Sequence, residues 1–204
     1  TAWQDLGDLV KAEPLLKRAV RIKRKHLGDK HASTAQTMLA LGQMQYTKGN
    51  YPEARRIFRQ VLAIDTAVYG PNHPEVAIDL THLGNLADRS GDLRRGERMH
   101  RRALKILLKR FGKKHPHTLA AMQNLAGHYI MRGDIERALR YLHLARPLMR
   151  QVFGAHHPKY AKLLSEIGTA YRVTGHYAPA RKALEEALRV QEKRLGRHHP
   201  SVAD

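Results

Sequence analysis

Histidine recurs every 42 residues along this chain, at His31, His73, His115, His157 and His199. Glycine gives two more series at the same interval: Gly7, Gly49, Gly91, Gly133, Gly175, and Gly28, Gly70, Gly112, Gly154, Gly196. Three five-member series with one period and no insertion mean that one structural unit is copied along the sequence. Such a chain folds as a stack of repeats, because each unit is too small to bury its own apolar face and does so against its neighbours. Counting from His31, full repeats occupy 31–72, 73–114, 115–156 and 157–198. Residues 1–30 form a partial repeat, with Gly7 at the phase of Gly49, and 199–204 open a further one. The expectation is a single solenoid over 1–204 that is a window on a longer array.

Each repeat reads as two helices. The first follows the histidine, and His73-Pro74, His115-Pro116 and His157-Pro158 place proline at the first helical position, where a missing N–H costs nothing. In the repeat 115–156, Leu119, Met122, Leu125, Ala126 and Tyr129 fall on one helical face. That helix is expected to end before Gly133 and the next before Gly154, since glycine takes the backbone conformation that closes a helix. The same logic predicts turns at Gly7, Gly49, Gly91 and Gly175. Small residues mark the close approach of the two helices: Gly42, Gly84, Ala126 and Gly168 on the first, Ala12, Ala54, Gly96, Ala138 and Ala180 on the second. A large apolar residue before each closing glycine (Leu27, Tyr69, Phe111, Phe153, Leu195) is placed to plug the gap to the next repeat. Pro147 interrupts one second helix and is expected to kink it near His143. Beside it, Arg146 takes a phase held by Leu62, Leu104 and Leu188 elsewhere.

Segments such as HPHTLAAMQNLA (115–126) and AEPLLKRAVRI (12–22) resemble tetratricopeptide repeats, in the 42-residue variety of kinesin light chains. The resemblance covers essentially the whole chain. It implies an all-α, right-handed superhelical solenoid of antiparallel helix pairs whose first helices line a concave groove. It also implies a protein–protein interaction scaffold that holds a peptide or helical segment of a partner in that groove, as part of a larger multidomain protein. The groove phases carry Gln36, Ala40 and Gln43; Ile78, His82 and Asn85; Ala120, Gln123, Asn124 and Gly127; and Lys162, Glu166 and Thr169. Thr47, Arg89, Met131 and Val173 complete those rows. The family often places an asparagine that grips a peptide backbone at the second phase. Asn124 keeps it, whereas Ala40, His82 and Glu166 depart from it.

Charge narrows the alternatives. Lys and Arg number 37 against 18 Asp and Glu, a net charge of +19. The excess avoids the first helices, where Lys48, Arg89, Arg132, Lys159, Lys162 and Arg172 nearly balance Asp5, Glu75, Asp79, Asp88 and Glu166. It collects on second helices and connections, as in Lys17 to Lys25 and Arg94 to Lys114. A solvated outer face whose long side chains cover apolar surface accounts for it. An acidic partner, or an anionic or nucleic-acid surface held by the basic convex face, is the alternative reading. Nucleic acid is disfavoured, because no aromatic ladder interleaves the basic residues.

No cysteine is present, which excludes a disulfide framework, a Cys-ligated metal and a Cys nucleophile. His115 with His117, His156 with His157, and His198 with His199 are the densest histidine groups. Each lacks a third ligand, so the repeat histidines read as helix caps rather than metal ligands. There is no glycine-rich phosphate loop, nucleophile elbow or HExxH. The chain reads as a non-enzyme without cofactor, cytoplasmic, with no signal peptide and no apolar run of membrane-spanning length.

Overall fold

The computed structural model of the chain describes residues 2–195, with side chains over 12–193. Those residues form nine helices and no strand: α1 (Ala2–Leu27), α2 (Ala32–Thr47), α3 (Tyr51–Tyr69), α4 (Pro74–Arg89), α5 (Leu93–Phe111), α6 (Pro116–Met131), α7 (Ile135–Phe153), α8 (Pro158–Val173) and α9 (Tyr177–Leu195). First helices span 16 residues (α2, α4, α6, α8) and the second helices of the full repeats 19 (α3, α5, α7, α9). The closing glycine expected at Gly196 and the repeat opening at His199 lie outside the described residues.

The repeat histidines and the glycines that close α2 to α8 do what their phases predict. Each repeat histidine caps the helix it precedes, its Nδ1 accepting the N–H of Ser33, Glu75, His117 or Lys159 at 3.1 to 3.3 Å. This satisfies one of the amides that a helix start leaves open. Gly49 (φ 78°) and Gly70 (φ 87°), one from each glycine series, hold a left-handed backbone that a side chain would strain.

Two expectations are corrected. α1 runs unbroken from Ala2 through Gly7, so no turn forms there. Continuing α1 through this phase keeps its main-chain hydrogen-bond ladder intact. α7 is helical from Ile135 to Phe153 with Pro147 inside it, and Pro147 and His143 are both exposed. Of the large residues before the closing glycines, Leu27, Tyr69 and Phe111 are exposed rather than plugging an interior gap, and the side chain of Leu195 lies outside the described residues. Tyr69 and Phe111 stay 42% and 38% exposed and stack on the capping rings of His73 and His115, at 4.4 and 4.0 Å.

The chain divides into two compact units, one up to Ile106 and one from Leu107, with the boundary inside α5. In the first, Val20, Ala35, Met38, Leu41, Met44, Ile57 and Val61 form one core cluster, and Ala54, Phe58, Leu83 and Leu86 the next. In the second, Leu119, Met122, Leu125, Leu142, Met149, Leu163, Leu164 and Ile167 are buried. The small residues of the first helices are sites of close approach, but what they meet is bulky. A Cβ on Gly42 would lie 2.6 Å from the Phe58 ring, and one on Gly168 would lie 2.6 Å from Leu184 Cγ.

Candidate functional site

In the first unit, α2 and α4 carry the expected residues on one accessible side. Gln36 and Gln43 are exposed; Ala40, Ile78, His82 and Asn85 are half-buried. Gln43 donates from Nε2 to His82 Nε2 at 3.1 Å, tying neighbouring first helices together. The bond requires His82 to be neutral at that nitrogen. Burial enforces this by pushing the ring down to a pKa of about 4. The ring lies over Phe58, with centroids 5.0 Å apart and planes 22° from parallel. His82 is therefore an uncharged ring packed on Phe58. Arg89 donates to Tyr46 Oη (3.3 Å) at the end of the same side.

In the second unit, α6 and α8 present Ala120, Gln123, Asn124, Gly127, Glu166 and Thr169, all half-buried, with Lys162 exposed. Gln123 donates to Glu166 Oε2 (3.1 Å), and Lys162 Nζ lies 3.9 Å from Glu166 Oε1. Burial raises the Glu166 pKa, while Gln123 and Lys162 oppose the rise. The departure from asparagine at this phase thus makes a bridge between repeats. Nothing lies within 4 Å of the space a Cβ on Gly127 would take, so that position is a gap in the surface.

The structure separates these amides into two sets. Gln43 and Gln123 are spent on bonds between repeats. Gln36 is exposed and Asn85 and Asn124 are half-buried, and none of the three has a side-chain hydrogen-bond partner among the described residues.

Other buried polar groups were missed by the sequence reading. Asp65 on α3 and Asp79 on α4 are 6% and 1% exposed, and both Asp79 oxygens and Asp65 Oδ1 lack a donor. Burial first, and then each other's charge or that of Glu75, pushes Asp79 up to about 8 and Asp65 up to about 6. His100 Nε2 meets Asp88 Oδ2 at 3.0 Å, with the ring against Gly84. The one sequence signal was Gly84, whose close partner is His100, as that of Gly42 is Phe58. Arg146, noted as out of phase, pairs with Glu186 Oε2 (2.7 Å), which also accepts from Tyr160 Oη (3.0 Å) through Oε1.

The tetratricopeptide repeat family model matches residues 2–67, 46–109, 89–143 and 118–193. Among solved structures, the chain resembles the nearly identical TPR-like repeats of a kinesin light chain, itself described as putative, from Podosopora anserina. That match has 24% identity, covers 95% of this chain and 92% of that one, and has a TM-score of 0.73. It also resembles BtubC (BKLC) from P. vanneervenii, at 20% identity over 97% of this chain and 78% of that one, with a TM-score of 0.79. A third similar structure is the Rap conjugation gene regulator of the plasmid pLS20 in complex with the Phr* peptide. It is 17% identical over 92% of this chain and 50% of that one, with a TM-score of 0.75. A comparison with curated proteins finds no match. At these identities the structures speak to fold alone, and the fold agrees with the repeat model, whose matches together run from residue 2 to residue 193. The chain belongs to the tetratricopeptide repeat family.

Proposed function

We propose that this chain is a non-catalytic interaction scaffold whose first helices hold an extended or helical segment of a partner protein. Tetratricopeptide repeats mediate protein–protein interaction, and the Rap regulator that shares this fold is solved with a peptide bound. The observation that carries the reading is the set of uncommitted amides on half-buried or exposed first-helix positions: Gln36 and Asn85 in one unit, Asn124 in the other. An amide can accept from and donate to a peptide backbone without selecting its charge. Neutral His82 and the paired Glu166 leave the surrounding surface close to uncharged, which favours a neutral or mixed-charge segment. The open position at Gly127, next to Asn124 on α6, gives a backbone room to approach.

Asn124→Ala tests this. Losing a hydrogen bond to a partly buried partner costs about 1–3 kcal/mol, a factor of roughly 5 to 150 in affinity. A partner captured with the wild-type chain is expected to bind the variant that much more weakly, with the melting temperature unchanged. Reversing Arg98, Lys105 and Lys109 to Glu on the exposed side of α5 is expected to leave that binding within about 3-fold. If the reversal abolishes binding and Asn124→Ala does not weaken it, the working surface is the basic one and the first-helix reading fails.

A further inference from the structure

The second unit contains a basic cleft on its second helices, away from the first-helix amides. Arg150, in the last turn of α7, stands on one side. Lys182, Arg189 and Lys193 stand on the other, spaced along α9 so that they share a face. Ala155, in the connection after α7, and Val190, 6% exposed, supply the apolar part of the lining. The cleft is an open one with a volume of about 380 Å³.

Two irregularities of sequence build it. At the phase of Glu186 the first unit has Arg102, whose guanidinium lies on the corresponding connection and donates to the Pro71 carbonyl (3.2 Å). Glu186 instead turns to Arg146 and Tyr160, and its carboxylate is occupied there. Arg146, the cation that holds it, stands where other repeats have leucine. The cleft therefore lacks a covering arginine, and Glu186, the one acid among its described lining residues, is neutralised by a partner beyond it. The four permanent cations facing it have no carboxylate of their own among the described residues. Arg189 Nε donates only to a main-chain oxygen, that of Glu185 (3.2 Å).

We propose that this cleft binds a compact, multiply charged phosphate ligand, either a soluble polyphosphate or a polyphosphorylated head group. Concentrated positive charge beside an apolar floor is relieved by an anion of matching density. Two guanidiniums can take phosphate oxygens in bidentate fashion, and two lysines add point charges. The apolar floor accommodates a carbon body between phosphates. A nucleic-acid strand fits less well, because His156 is the one ring among the described lining residues and no ladder of aromatic side chains is there to stack successive bases. The site is independent of the first-helix amides, so either reading can fail alone.

Calorimetric titration of the whole chain with inorganic tripolyphosphate tests it, against two double variants that remove equal charge. Lys182→Ala with Arg189→Ala empties one wall of the cleft. Arg98→Ala with Lys105→Ala removes exposed cations from α5. All four side chains are exposed, so both variants keep the fold, which circular dichroism checks. The expected result is one site per chain, weakened at least about 30-fold by the cleft variant and less than about 3-fold by the α5 variant, since a charged contact is commonly worth about 10-fold or more. Equal loss in both variants would mean diffuse attraction and would overturn the site, as would the absence of binding by the wild type. Sedimentation with vesicles containing phosphatidylinositol bisphosphate separates the two sources. Vesicle binding that tripolyphosphate competes away, and that the cleft variant loses, assigns a head group; tripolyphosphate binding without vesicle binding assigns a soluble ligand. A single-stranded oligonucleotide that binds more tightly than either, and that the α5 variant weakens most, would overturn the proposal in favour of nucleic acid.

Discussion

Two aspartates show how a single buried position can set the pH response. Asp65 and Asp79 face each other between α3 and α4, with both Asp79 oxygens and Asp65 Oδ1 lacking another donor, so the folded state favours a proton on the pair. Glu75 adds to the negative potential, and His73 opposes it at Asp65. Asp79, held at about 8, and Asp65, at about 6, both lie above an ordinary aspartate. The folded chain therefore binds more protons than the unfolded one between roughly pH 4 and pH 8, and this pair's contribution falls as pH rises through that window. Glu13 works the other way. Bonds from Lys17, Lys48 and Gln45 hold it at about 2, so its contribution is present above the ordinary glutamate range and is lost as pH falls toward 2. Asp79→Asn, which imitates the protonated acid, is expected to leave the melting temperature near wild type at pH 4. At pH 8 it should raise it by roughly 3–8 °C. Differential scanning calorimetry across that range decides it, and a difference that does not grow with pH would sink the shared-proton reading.

At the scale of the helix pair, the glycines divide by what surrounds them. Gly42 lies against Phe58 so closely that a methyl group would enter the ring, whereas Gly127 faces open space. Overpacking costs about 1–3 kcal/mol, and alanine recovers about 1 kcal/mol of helix propensity. Gly42→Ala should therefore lower stability, and Gly127→Ala should raise it by up to about 1 kcal/mol. Urea titrations of both variants measure this, and a Gly42→Ala protein as stable as wild type would show that the Phe58 ring can move aside at no cost. The same contrast explains what the sequence could reveal. The caps at His31, His73, His115 and His157 and the turns after α2 to α8 were legible because each depends on local backbone chemistry repeated at one phase. Gly7 sat at the right phase and misled, because glycine permits a turn without requiring one and α1 is already helical from Ala2. The pairing of Gln43 with His82 and of Gln123 with Glu166 was not legible. Those side chains lie about one repeat apart, and only the stacking of neighbours decides which amides are spent and which stay free. The cleft beside α9 depends on a rotamer of Glu186 that no spacing rule contains.

At the scale of the whole chain, stability should follow the neighbour-only packing of a repeat array. α8 packs against α7, α9 and, more lightly, α6, and every one of these lies in the second unit. The first unit has its own buried clusters, built from Val20 to Leu86. Removing α8 and α9 by ending the chain after Gly154 therefore strips the apolar face of α6 and α7 and takes nothing from the cores of α1 to α4. Stability in such arrays is a sum of repeat terms and interface terms, so the loss is local. Native-state hydrogen exchange is expected to show wild-type protection in α2, α3 and α4 of the shortened chain, and protection in α6 and α7 lowered by a factor of 10 or more, about 1.4 kcal/mol for each tenfold step. Resonances in the second unit would broaden as its helices fray, while those in the first keep their wild-type positions. Uniform loss of protection from α2 to α7 would mean that the chain unfolds as one cooperative block, and that the two cores support each other more than their separate clusters indicate.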